Sequence, residues 1–238
     1  FRELALNWGV RRALILMGPR RVGKTVMLEQ LVRHALKEGF PPKNILFASI
    51  DTPLYSAMPL ERLISLFEKQ TDHTASDRRI IIFDEIQYLK DWEVHLKVLT
   101  DRFPNTRFIA SGSAAAALRL KSHESGAGRF TDFFLPPLTF AEFLEFQGLE
   151  KELIRPNHQG QNRRFMTTDI GALNRAFIDY LNFGGYPEAV FNQEIRQNVQ
   201  RYLGRDIVDK VLLRDLPSLY GIQDIQELNR LFTTIAYH

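Results

Sequence analysis

Apolar residues fall into two kinds of run along this chain. Short, nearly unbroken stretches occur at Ala13–Met17 (ALILM), Asn44–Ile50 (NILFASI), Arg79–Phe83 (RIIIF), Thr106–Ala110 (TRFIA) and Phe130–Leu135. Strands buried on both faces of a parallel sheet give such runs. Between them the apolar positions recur at helical spacing: Val26, Leu28, Leu31, Val32 and Ala35; Leu63, Ile64 and Phe67 within Leu60–Gln70; Trp92, Leu96 and Leu99 within Asp91–Phe103. The alternation predicts an α/β fold with helices on both sides of a sheet. After Pro136-Pro137 the pattern changes. Leu138–Gln147 reads as a short helix and the polar stretch Arg155–Arg164 as a loop or boundary. Ala172–Leu181, Tyr186–Phe191, Ile195–Leu213, Leu212–Tyr220 and Ile222–Ala236 read as helices. The expected division is a core over 1–150 and an all-helical lid over 151–238.

Between the first strand and the first helix stands GPRRVGKT, Gly18 to Thr25. Gly18 and Gly23 free the backbone so that the loop Pro19-Arg20-Arg21-Val22-Gly23 and the following turn, through Val26, can curl around a triphosphate with N–H groups pointing inward. The helix adds the positive end of its dipole. Lys24 is placed to reach the β- and γ-phosphates, and the Thr25 hydroxyl to face Mg2+. Strand, glycine loop and helix follow in the order this chemistry requires.

The second motif closes the third strand. Four apolar residues, Ile80–Phe83, lead into Asp84 and Glu85, at the carboxyl end where ligands sit in an open parallel sheet. Asp84 is expected to hold Mg2+ through water, and Glu85 to orient and deprotonate the attacking water. Gln87 follows two residues on. The next strand ends in Ser111-Gly112-Ser113, so that hydroxyls reach the same edge. One of them, Ser111 first, is a candidate to read the γ-phosphate or the water; Ser113 serves equally well as N-cap of a helix over Ala114–Leu120. A polar loop, Lys121–Gly128, leads to Arg129 just before the last core strand. Two roles are open to it: a cation reaching a neighbouring subunit's site, which makes a homo-oligomer the working assembly, or a structural salt bridge.

Composition narrows the field. The 238 residues, 45% hydrophobic, suffice for one α/β domain and a helical extension. Thirty-one basic against 28 acidic residues leave a net charge of +3, too slight to demand a polyanion partner. Arg11-Arg12, Arg20-Arg21, Arg78-Arg79 and Arg163-Arg164 read as solvated faces or loop residues. Cysteine is absent, which excludes disulfides and thiolate metal sites. No run is long and apolar enough for a membrane span and the first residues lack a signal-peptide pattern, so no membrane partner and a cytoplasmic location are expected. A guanine-nucleotide switch is disfavoured because no NKxD-like tetrapeptide is present, and a kinase because no second substrate pocket is legible.

The phosphate loop, the strand end FDEIQ, the strand ending ASGS, Gly128-Arg129 and Phe183-Gly184-Gly185-Tyr186-Pro187 occur in this order. Together they resemble the prokaryotic AAA-type ATP-binding proteins related to archaeal ATPases and to the STAND signalling ATPases. The resemblance covers nearly the whole chain. It implies a three-layer αβα P-loop core with a five-stranded parallel sheet and a helical lid closing over ATP or ADP. It also implies that Pro187, in a glycine-x-proline turn, offers a flat apolar face to the adenine. Such proteins usually continue into a winged helix and a further domain, so Leu212–His238 resembles the approach to that winged helix, and a protein or DNA partner would be met by parts beyond it. Two functions follow as expectations: Mg-dependent ATP hydrolysis coupled to lid movement, or a slowly hydrolysing nucleotide switch that presents a binding region.

Overall fold

A computed structural model describes residues 1–56, 58–71, 77–113, 128–157 and 164–237. The helix expected over Ala114–Leu120, the loop Lys121–Ala127 and Arg163 lie outside them. Five strands, β1 (Ala13–Gly18), β2 (Ile45–Ser49), β3 (Arg79–Asp84), β4 (Thr106–Ser113) and β5 (Phe130–Phe134), form one parallel sheet in the order β2-β3-β4-β1-β5. Every residue of β1 and β3 is buried, which is why their sequences are apolar without alternation.

The two faces of the sheet still sort residues with a period of two. Ala13, Ile15, Met17, Ile81, Phe83, Phe108 and Ala110 pack with Leu63 and Ile64 of α2 (Leu60–Thr71) and with Trp92, Leu96 and Leu99 of α3 (Trp92–Arg102). Leu14, Leu16, Ile80, Ile82 and Ile109 pack on the other side with Leu28, Leu31 and Ala35 of α1 (Lys24–Lys37). The result is the three-layer αβα core of a P-loop protein, as the pattern predicts. The sheet order sets β4 between β1 and β3, so the phosphate loop, the Ser111 level and the strand end at Asp84 share one edge.

Two compact units differ from the expected division. One comprises Phe1–Leu135 together with Asp209–His238; the other is Pro136–Val208. The last stretch therefore belongs with the sheet, because Leu216 packs against the cluster around Ile81 and Phe83.

The second unit opens with α4 (Phe140–Phe146), whose N-terminus carries a capping box between Thr139 and Glu142. Its core is Phe143, Leu144, Leu153, Ala176 and Val190. It is not helical throughout. Ile154–Asn157 and Arg164–Thr167 pair antiparallel as β6 and β7, in the stretch whose polarity reads as a loop. Ile154 ties the pair to that core by packing on it. Next come α5 (Ile170–Asp179) and α6 (Pro187–Phe191), with Pro187 in the first helical turn, where its missing N–H costs nothing. Gly185 has an ordinary helical φ of −71°, so its freedom is not used. Gly184 is the constrained glycine of the pair: an added Cβ would come 2.3 Å from the Tyr180 ring and 2.9 Å from that of Phe143.

Candidate functional site

The phosphate loop joins β1 to α1, and its conformation depends on both glycines. A Cβ on Gly18 would stand 2.3 Å from the backbone oxygen of Leu135, so only glycine lets the end of β5 approach. Gly23 takes φ 98°, a conformation other residues adopt only with strain. Arg21 also lies in the left-handed region, at φ 65°. Pro19 and Arg20 are half-buried, Val22 is buried in the loop, and Thr25 and Val26 are exposed at the start of the helix.

Lys24 is only 4% exposed. Its ammonium donates to the carbonyl oxygens of Gly18 at 3.1 Å and Pro19 at 2.8 Å, so the loop wraps its own cation. Burial lowers the Lys24 pKa, against the opposing pull of Glu85 and Asp84.

At the end of β3, Asp84 is held by two hydroxyls. Thr25 Oγ1 donates to Asp84 Oδ2 at 2.8 Å, and Ser111 Oγ donates to Asp84 Oδ1. Ser111 also accepts the backbone N–H of Glu85 at 3.0 Å, which fixes the turn after β3. Glu85 takes φ 55°, a left-handed conformation that directs the chain sharply away from the strand. Its carboxylate accepts from Gln87 Nε2, while Gln87 Oε1 accepts the N–H of Ser113 at 3.2 Å. Burial pushes the Glu85 carboxyl above its usual range, with Lys24 the main opposing influence.

Ser111 and Ser113 are therefore residues of β4 itself, both buried, where the pattern ended the strand at Ala110. The donor set, one carboxylate and one hydroxyl, is of the hard-oxygen kind that Mg2+ takes. Among the described residues no cluster of three or more His, Asp or Glu side chains could hold a metal by protein ligands alone, as zinc would need.

Lys24, Thr25, Asp84, Glu85 and Ser111 thus meet in one place. Arg129 does not join them. It precedes β5 at the amino edge, where it pairs with Asp101 at 2.5 Å, both side chains about half exposed. Pro187 belongs to the other compact unit. Three residues beyond the expected set do enter: Gln87, Tyr88 and Asp215, the last two through Arg20.

A family model described as AAA domain matches residues 10–144, more than half the chain. The chain belongs to the AAA domain family. It is an AAA-type P-loop ATPase domain, that is, an ATPase-type nucleotide-binding module. A domain of unknown function matches 174–238. Similar curated proteins include an uncharacterized protein of Methanocaldococcus jannaschii, 23% identical over 233 residues, covering 95% of this chain and 47% of its own length. Another, from Haemophilus influenzae, is 24% identical over 226 residues, covering 93% and 50%. The chain spans about half the length of these relatives. Among solved structures, AMPPCP-bound DnaA from Aquifex aeolicus is 13% identical, covering 88% of this chain and 61% of its own, with a TM-score of 0.48. The Aeropyrum pernix ORC1 protein in complex with DNA is 14% identical, covering 83% and 58%, at 0.49. No helix among the described residues is long and apolar enough to cross a membrane.

Proposed function

We propose that this chain binds ATP with Mg2+ at the carboxyl edge of the sheet and hydrolyses it, coupling nucleotide state to movement of a lid. The observation that carries this reading is the direct hydrogen-bond path from Thr25 through Asp84 and Ser111 to the backbone of Glu85. Binding alone requires the loop and Lys24. A second acid, anchored by its backbone one residue beyond the metal-binding acid, is what hydrolysis adds.

In this mechanism the N–H groups of the loop and the α1 N-terminus hold the phosphates, and Lys24 exchanges the carbonyls of Gly18 and Pro19 for phosphate oxygens. Thr25 and Asp84 would hold Mg2+, which would neutralise phosphate charge. Glu85 accepts a proton from the water whose oxygen attacks the γ-phosphorus as the bond from that phosphorus to the ADP oxygen breaks. Ser111 joins the Asp84 carboxylate to the backbone of Glu85. Arg129, at the opposite edge, can serve only a neighbouring copy, which ties any role in catalysis to a homo-oligomer.

A slowly hydrolysing switch is the second reading, and Gln87 favours it. Its amide occupies a Glu85 oxygen, and burial keeps that carboxyl more readily protonated, so the base is restrained until a ligand rearranges the turn. A protein or DNA partner would then read the nucleotide state. Calorimetric titration tests the shared first step. Mg-ATP should bind the intact chain, with affinity lost in Lys24→Ala and reduced by chelating the metal or by Asp84→Asn; equal binding in all of these overturns both readings.

A further inference from the structure

Arg20 is the third residue of the phosphate loop, and its guanidinium turns toward a segment almost two hundred positions later in the same compact unit. Nε donates to Asp215 Oδ2 at 2.9 Å, and Nη2 to Asp215 Oδ1 at 2.6 Å and to the Tyr88 hydroxyl at 2.6 Å. Asp215 is fully buried. It sits on the face of its helical turns that carries Leu212, which is buried, and Leu216, which packs against the sheet cluster. Tyr88 closes the short turn that begins at Glu85, and the Arg214 guanidinium lies 5.5 Å over its ring. The C-terminal segment thus touches both the phosphate loop and the turn bearing the proposed base.

A carboxylate this deeply buried is tolerable only with a fixed cation, and the planar fork of arginine matches both of its oxygens. Three of the five guanidinium N–H groups are taken by Asp215 and Tyr88. Burial would lower the Arg20 pKa, but the Asp215 contacts outweigh it, so the group stays charged. Its charge is felt at both Lys24 and Glu85.

We propose that Asp215 is a positioning residue of the nucleotide site: through Arg20 and Tyr88 it holds the phosphate loop and the Glu85 turn in register and fixes a second cation beside Lys24. The inference rests on the ATP-binding reading above. Two consequences follow. Residues 209–220 form part of the site although they lie far outside the phosphate-loop and acid motifs. By linkage, nucleotide binding and docking of this segment strengthen each other by the same factor.

The test uses the whole chain. Asp215→Asn keeps shape but loses charge, and Arg20→Lys keeps charge but loses the fork. Each should weaken Mg-ATP binding about tenfold or more, raise KM and lower kcat, and the double variant should be no worse than the worse single one. In the unaltered chain Mg-ATP should slow amide hydrogen exchange across 211–220, and this protection should vanish in both variants. A merely structural pair predicts otherwise: lower thermal stability, with Kd, KM, kcat and nucleotide-dependent protection unchanged. That result, or additive effects in the double variant, overturns the proposal. If the unaltered chain binds no Mg-ATP, the functional reading fails instead.

Discussion

The two edges of the parallel sheet both bury charge, but they treat it differently. At the amino edge Arg107 is 5% exposed, and its guanidinium donates to the carbonyls of Ala5 at 3.1 Å, Val10 at 2.8 Å, Arg12 at 3.0 Å and also Leu4. Arg79 pairs with Glu68 at 2.5 Å and lies 5.3 Å from the centre of the Phe103 ring. These cations staple the N-terminal segment and α2 to the sheet. At the carboxyl edge Arg20 and Asp215 form a fixed pair, but Lys24, Asp84 and Glu85 lie close together without pairing with one another. Lys24 rests on carbonyls, and Asp84 on hydroxyls. Buried charge whose partners are fixed protein groups builds architecture. Buried charge held near, but not on, its opposite is poised to accept a ligand.

Perturbing each edge should separate these roles. The largest effect is expected from Glu85→Gln, which should cut turnover by about 10²- to 10⁴-fold while Mg-ATP still binds. Arg107→Ala should do the reverse. Hydrogen bonds to a charged group contribute about 1.5–3 kcal/mol each and only part is recovered by water, so a stability loss of about 3 kcal/mol is expected by denaturant unfolding, with nucleotide affinity unchanged in the folded fraction. A large fall in affinity there would break the distinction between the edges.

A smaller, pH-dependent effect sharpens it. Because the folded-state pKa of Glu85 is raised, its ionised form destabilises the ligand-free fold above that pKa and the cost disappears below the ordinary carboxyl value. Glu85→Gln should therefore raise the melting temperature of the ligand-free chain at neutral pH, with the gain fading on acidification through the raised pKa. A gain independent of pH would contradict the assignment. Smallest of all, Arg129→Ala removes a half-exposed pair and should change stability by less than about 1 kcal/mol. A turnover loss as large as that of Glu85→Gln, accompanied by concentration-dependent activity in the unaltered chain, would transfer Arg129 from architecture to chemistry.

The sheet and the edge that carries the candidate site are legible because their signals are local. Contiguous apolar runs mark β1 and β3, and the phosphate loop and the Asp84-Glu85 pair each occupy a few adjacent positions. The end of β4 was misplaced because small polar residues, Ser111-Gly112-Ser113, look like a turn, yet they continue the ladder beside β1 with Gly112 opposite Met17. The pairing of β6 and β7 is hidden by polar composition, since Ile154 alone among these residues carries the packing signal. Asp215 escaped because its partner is distant in the chain. One clue was present: Leu212, Asp215 and Leu216 fall on one helical face, and an acid on an apolar face needs a buried partner. Helical spacing also does not reveal which core a helix joins, so the return of residues 209–238 to the sheet could not be read from periodicity.

Single-turnover hydrolysis of Mg-ATP by the unaltered chain and by Glu85→Gln, with binding measured on the same samples, tests the central claim most directly. The account predicts equal occupancy in both, with product formed by the unaltered chain and at least a hundredfold more slowly, about the lower bound for a lost general base, by the variant. Equal rates in the two, or no hydrolysis in either at full occupancy, would contradict it.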